Sequence, residues 1–354
     1  MNHLARTIIL FCCITFYSLT QAQDSHFSQF YHVAHQINPA LIGVYNGNFR
    51  AAVTYRDQWS TVLGGSPYRT AVATFDVRKP ILKGDYIGLG VTVLHDEVHS
   101  SNFSQDRAHV GFSYMKKLGT GRRRASGQYL IAGGQVGLGQ NGFESSNLWF
   151  TEQYDERSGS IDRLLPSGEN FNNLQTPTFL DANAGVLWYN VFDENRNIYF
   201  GGAIHHLTSP NVSFLDNGAA TLDRKFVVQV GGEFSISGND GLTLLPSLVA
   251  QKQGEATNIL AGGNFRYTHQ EWREVALRIG GWGHVVNKLE SGFLMNAFIV
   301  STTLETERLN IGLSYDLNTS NLSLATNSRG AFEIALVYTQ PSKGRKWRVD
   351  CPKF

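Results

Sequence analysis

The chain has 354 residues, of which 42% are hydrophobic and 17% charged, with 36 glycines; this length suits one large domain or two ordinary ones. The 30 lysines and arginines are balanced by 29 aspartates and glutamates, a formal net charge of +1. Such a balance lacks the basic footprint that displaces counterions from a phosphate backbone, so nucleic acid is excluded as a partner class.

Residues 1–22 read as a signal peptide. Arg6 supplies the positive charge, "TIILFCCITFYSL" is an apolar run too short to span, and "TQA" sets small residues where a signal peptidase cuts. Cys12 and Cys13 lie in this leader behind a poor lipobox, which leaves Cys351 alone in the mature chain. An exported protein with one cysteine has no internal disulfide framework. No apolar stretch long enough for a membrane helix follows the leader, so a soluble secreted protein and an outer-membrane barrel both stay open. Mean hydropathy does not separate them, because a transmembrane strand shows its lipid face only in every second residue.

Residues 23–47 form a pre-barrel segment, rich in aromatics and histidines, that holds neither a strand nor a helix period for long. From residue 48 onward the period is two. In "ERLNIGLSYDLN", Leu309, Ile311, Leu313, Tyr315 and Leu317 share one face, and Arg308, Asn310, Gly312, Ser314 and Asp316 the other. In "RKFVVQVGGEFSI", Phe226, Val228, Val230, Phe234 and Ile236 oppose Lys225, Gln229, Gly231, Glu233 and Ser235. "NILAGGNFRYT" and "AFEIALVY" divide the same way, the second with Glu333 opposite Phe332, Ile334, Leu336 and Tyr338. The pattern predicts strands near 48–56, 67–77, 85–95, 104–116, 127–140, 178–190, 196–206, 223–236, 241–252, 256–268, 273–284, 290–301, 306–317 and 330–340. Each has about the 9–11 residues that a tilted membrane strand needs.

The predicted fold is therefore all-β, a transmembrane antiparallel up-and-down barrel of about 14 strands over residues 48–340. Charge on the polar faces, at Arg50, Arg56, Arg107, His109 and Arg278, fits a wide polar lumen rather than the second buried face of a sandwich. Connection lengths agree. With both termini periplasmic, odd-numbered connections face outward and are long, and the longest, Asn141 to Pro177, is the fifth. "KLGTGRRRAS" is too long for its even position. Residues 341–354 are a short basic periplasmic tail, with Lys343, Arg345, Lys346, Arg348 and Lys353 against Asp350; a solvated terminus and a docking element both fit it.

Little in the chain points to chemistry. "GLGQNG", Gly137 to Gly142, matches G-x-G-x-x-G but leads into a polar loop, not a helix, so no cofactor is expected. "HDEVH" has histidines at i and i+4 but not the H-E-x-x-H motif, and at a strand-to-loop boundary those positions are far apart; His205 and His206, adjacent in a strand, would point to opposite faces, so no metal is expected. No G-x-S-x-G marks a nucleophile, and no catalytic residue is assigned.

The amino-terminal stretch "FSQFYHVAHQINPALIGVYNGNFRAAVTYRDQW" resembles the opening of the PorP/SprF family of type IX secretion proteins from Bacteroidota. The motifs carrying it are F-S-Q-[FY] at Phe27 to Phe30, N-P-A with a later glycine at Asn38, Pro39, Ala40 and Gly43, and Y-R-x-Q-W at Tyr55 to Trp59. "SYDLNTSNLSLATNSRGAFEIALVY", "PSLVAQKQG" and the terminal "CPKF" resemble later family patterns. The resemblance implies candidate motif or partner residues at Phe27, Gln29, Phe30, Asn38, Pro39, Gly43, Tyr55, Arg56 and Trp59, and in the tail Arg345, Lys346, Arg348, Cys351 and Phe354. It also implies a non-enzymatic outer-membrane component that supports secretion or surface anchoring of a large adhesin-type cargo, including gliding adhesins. Its expected partners are the cargo or its carboxyl-terminal domain, type IX components and outer-membrane lipid. The alternative from the polar strand faces is a passive porin or small-ligand transporter.

A barrel of this width would leave an open channel. The pre-barrel segment is expected to pack in the lumen or against the periplasmic rim, with Phe27, Phe30, Tyr31 and Ile37 as its apolar side and Asn38-Pro39 as its turn. The competing reading is a disordered remnant.

Overall fold

The computed structural model describes residues 24–341 apart from 65–66, 83, 99–102, 121–126, 145–147, 156, 169–174, 194–195, 216–217, 237–240, 269–274 and 289–291. The predicted leader, and the tail candidates Arg345, Lys346, Arg348, Cys351 and Phe354, lie outside the described residues.

Alternating side chains pleat the chain into the strands of one closed barrel: β1 (Phe49–Gln58), β2 (Tyr68–Leu82), β3 (Asp85–Val98), β4 (Phe103–Thr120), β5 (Gly127–Gly142), β6 (Phe179–Asp193) and β7 (Arg196–His205). The ring continues through β8 (Lys225–Ser235), β9 (Leu242–Gln253), β10 (Ala256–Tyr267), β11 (Ala276–Asn287), β12 (Phe293–Glu305), β13 (Leu309–Asn318) and β14 (Arg329–Gln340). Each strand runs antiparallel to its neighbour in the chain, and β1 closes on β14 with Phe49 opposite Gln340 and Tyr55 opposite Ile334. Every predicted strand overlaps an observed one.

The boundaries differ where strands outrun the rim. The strand expected near 67–77 is longer, since β2 continues to Leu82, pairing Lys79 with Ile87 and Pro80 with Tyr86. Pairing of β1 to β2 ends at Phe49 opposite Val77, so Pro80 sits on an unpaired edge, where a missing N–H costs no ladder bond. β4 likewise runs to Thr120, pairing Gly119 with Gln128. The overlong "KLGTGRRRAS" connection is thus partly strand.

The two faces sort as a membrane barrel requires and in reverse of a soluble protein. Val53, Phe75, Val91, Phe112, Leu138, Phe226, Phe265, Leu313, Tyr315, Phe332 and Ile334 are exposed outward, while Arg56, Asp76, Arg107, Arg278, Asp316 and Glu333 are buried inward. Val53 is 52% exposed and Arg56, three residues on and so on the opposite face, only 4%.

One mouth carries the short turns together with Phe49 and Gln340, the ends of the seam strands. The other carries the connections 59–67, 143–178, 206–224 and 319–328. Within 143–178 lie a 3-10 turn at Thr151–Gln153 and a ribbon that pairs Tyr154–Asp155 with Ser160–Ile161. Its base is tied down, because Asn141 donates its N–H to Thr176 Oγ1 at 2.9 Å. Phe214 of the 206–224 loop packs edge-on against Phe143 (4.9 Å between ring centres) and Phe103 (6.3 Å).

Candidate functional site

The lumen is not an open polar channel. Residues 24–48 thread it lengthwise, and Phe27 to Tyr45 are buried apart from His32 and Gln36. The segment folds through short turns, a 3-10 turn at Phe30–His32, one α-helical turn at Ala34–Ile37 and a second 3-10 turn at Pro39–Leu41. Its apolar residues meet large inward side chains of the wall. Phe30, Tyr31 and Ile37 join Val227, Val249, Leu260, Trp282 and Ile299 in one cluster. Ala34, Ala40, Leu41 and Val44 join Tyr129, Ile131, Leu187, Tyr189 and Tyr199 in another. Phe27 and Val33 meet Val72 and Leu94. Of the two placements expected for this segment, inside the lumen is the one observed.

Polar anchors fix its register against the wall. Near the long-loop mouth, Glu333 accepts the backbone N–H groups of Ser28 (2.8 Å) and Gln29 (2.8 Å), and Gln29 Nε2 donates back to the Glu333 carbonyl (3.2 Å). Ser28 Oγ donates to Asp316 at 2.7 Å, while Arg56 bridges Ser28 Oγ (2.7 Å), Asp316 (2.8 Å) and Glu333 (3.3 Å). Near the short-turn end, Asp76 accepts the Gly43 N–H (2.7 Å) and two guanidinium bonds from Arg50 (3.0 and 2.8 Å), with His35 Nε2 at 3.2 Å. Gly43 is required there. Its φ is +75°, and a Cβ would stand 2.8 Å from Gly88 Cα.

Asn38 joins the two halves. Its Oδ1 caps the second 3-10 turn by accepting the Ala40 N–H at 2.9 Å, with Pro39 in the first-turn position that needs no N–H. Its Nδ2 donates to the carbonyls of Val186 (3.1 Å) on β6 and Gly202 (3.3 Å) on β7. Asn38→Ala removes the cap and two buried bonds, so a loss of about 2–3 kcal/mol is expected, read as a lower midpoint for heat-induced unfolding on gels.

Phe27, Gln29, Phe30, Asn38, Pro39, Gly43 and Arg56 are therefore brought together in the lumen. Tyr55 and Trp59 are not. Tyr55 faces outward on β1, paired with Ile334 and Ala71, and Trp59 sits at the long-loop rim in a left-handed conformation (φ 62°), its ring edge-on to Tyr68. Residue-level reading missed Ser28, His35, Asp76, Asp181, His206 and Lys225 as anchors. The available signal was a lone charge at an inward position of an apolar strand, as at Glu333 between Phe332 and Ile334.

The first described residue closes the long-loop mouth. Asp24 Oδ2 is bonded to His206 Nε2 (2.8 Å) and Lys225 Nζ (2.5 Å), and its N–H donates to Gln253 Oε1 (2.9 Å). His206 Nδ1 meets Asp181 at 2.9 Å. The two adjacent histidines were expected on opposite faces, yet both are buried, because His206 leaves the strand with φ 58° and turns inward behind His205. Asp24 thus lies at the mouth opposite Gln340. The chain ends themselves, for which one side was expected, lie outside the described residues.

Burial works to lower the His206 imidazole, but the carboxylates of Asp24 and Asp181 raise it to about 9. Burial works to raise Asp24, but Lys225 and His206 hold it well below the usual carboxylate range. The raised His206 contributes fully below its ordinary value of 6.5 and is lost as pH rises through about 9. The depressed Asp24 contributes above its ordinary value of 3.8 and is lost as pH falls through its folded value. A nitroxide on Ser25→Cys, in a Cys351→Ser background, is therefore expected to be immobile near neutrality and freed at both extremes, read from its paramagnetic resonance line shape.

A profile of the family described as type IX secretion system membrane protein PorP/SprF matches residues 19–338. No curated protein matches the sequence. Among solved structures, a deletion mutant of the TodX monoaromatic hydrocarbon channel aligns with TM-score 0.44 at 13% identity, over 86% of this chain and 92% of that one. A FadL homologue from Pseudomonas aeruginosa aligns with TM-score 0.44 at 12% identity, over 85% and 92% of the two chains. BamA from Haemophilus ducreyi, lacking POTRA domains 1–3, gives 0.40 at 9% identity, over 83% and 70%. Likeness at this level transfers no ligand or activity. The family profile spans the threaded segment and all but the last residues of the barrel, and the chain belongs to the PorP/SprF family of type IX secretion system membrane proteins.

Proposed function

We propose that this barrel is a non-enzymatic component of the outer membrane that supports secretion or surface anchoring of a large adhesin-type polypeptide, with its long-loop mouth facing outward. The cargo, through its carboxyl-terminal domain, would be held at that mouth, and type IX components would meet the short-turn end. One observation carries the reading: the lumen is filled along its length by the chain's own residues 24–48. A filled barrel suits a scaffold and opposes both a conduit for polypeptide and the passive porin suggested by the charged inward faces.

The exposed apolar residues of the connections support a docking role for the long-loop mouth. Leu164 is 95% exposed, Leu324 88% and Leu215 72%. Side chains of that size stay in water only at a cost, and covering them is worth about 2 kcal/mol each. The test is purification of the tagged barrel from native membranes in mild detergent. The expected result is co-recovery of a large secreted polypeptide together with type IX components; recovery of the barrel alone would remove the reading.

A further inference from the structure

We infer that the long-loop mouth contains a binding site for the carboxylate of an acidic peptide segment, which residues 24–26 fill from within the same chain. The site is built from Lys225, His206 and Gln253, all buried, whose polar atoms converge on one peptide unit. Lys225 Nζ and His206 Nε2 take the Asp24 carboxylate, and Gln253 Oε1 takes the N–H of the same residue. The recognition is of an acidic residue through both its carboxylate and its backbone N–H, not of a free anion. Its geometry is preset from behind. Asp181 holds His206 through Nδ1 at 2.9 Å and is itself 3.2 Å from His109 Nε2.

The occupant lies outside the apolar packing that holds the rest of the threaded segment. Asp24, Ser25 and His26 are irregular and only half-buried, whereas Phe27 to Tyr31 are buried and locked by the Arg56 and Glu333 anchor. Retention of the segment is therefore served without this cradle, and its two cations at the mouth are suited to an exchangeable acidic partner. The partner is an acidic stretch of the polypeptide retained at this mouth; its identity rests on the proposed retention role, while the site does not. A tethered occupant competes at an effective concentration of about millimolar, so an outside acidic segment gains access only when the tethered one leaves or when neighbouring loop contacts add to its hold.

The experiment uses the purified barrel in detergent, with heat-modifiable gel migration confirming that each variant is folded. Fluorescent acetyl-Gln-Asp-Ser-His-amide, which copies residues 23–26, is titrated into the full chain and into a variant lacking those residues. The expected result is binding to the deletion variant at least about tenfold tighter than to the full chain, and about tenfold tighter than its Gln-Asn-Ser-His counterpart. Lys225→Met in the deletion background should abolish the preference for Asp over Asn. Acetyl-Asp-Glu-Asp-Glu-amide must also bind the deletion variant, since the ligand class is any acidic segment. Equal binding to both chains, equal binding of the Asp and Asn peptides, or restriction to the self sequence would each overturn the inference. No cargo enters the assay, so a negative result leaves the retention reading intact, and failure to recover cargo from native membranes leaves the site intact.

Discussion

Arg56→Ala is expected to destabilise the assembled barrel by about 3–5 kcal/mol, because it leaves buried carboxylates without their cation. Arg56 is 4% exposed and bridges Asp316 at 2.8 Å and Glu333 at 3.3 Å, and it also holds Ser28 Oγ at 2.7 Å. Its removal strands two anionic groups on β13 and β14 while weakening the hold on the threaded segment, so wall and plug loosen together. The measurement is the midpoint of heat-induced unfolding on gels, paired with protease protection of residues 24–48. A loss under 1 kcal/mol for Arg56→Ala would mean that water reaches these groups, and the anchor would lose its assigned role.

Deleting residues 24–45 is expected to turn a silent barrel into an ion-conducting one. The deletion withdraws Phe30, Tyr31, Ile37, Leu41 and Ile42 from the lumen, exposing the inward faces of Trp282, Tyr129 and Leu187 along with Arg278 and Asp76. A ring of this many strands then leaves an aqueous passage. In planar bilayers the intact chain should show no steady current and the deletion variant stable conducting steps. Steady steps from the intact chain would reverse the scaffold reading in favour of the porin. The deletion also removes apolar burial worth about 25 cal/mol per Å2, so the open barrel should unfold at a lower temperature.

The ring of strands was legible because the lipid face declares itself residue by residue, as at Leu313, Tyr315 and Leu317 against Ser314 and Asp316. The strand ends were less so. β2 runs past its expected end at Val77 and through Pro80, which the ladder tolerates because β2 has no partner on the β1 side at that height. The motif residues Gln29, Asn38 and Gly43 came from resemblance, and the structure supplies their physical reason: a reciprocal bond to Glu333, a cap joined to two wall carbonyls, and a left-handed turn pressed on Gly88. Their partners were not legible. Which strands face the plug at each height depends on closure of the ring, and the inward turn of His206 breaks the alternation that placed it outside.

Ser28 and Gln29 reach Glu333 across 305 and 304 residues of chain, so a segment that precedes the first strand of the ring finds its partner only on the last strand to be made. Contacts this remote in sequence are slow to form. The segment is joined to the ring only at β1, beside the short-turn mouth, so it can enter the lumen through that mouth before or after β1 zips to β14. Closure and plugging are therefore separable events, and a ring that closes first stays hollow until the segment enters.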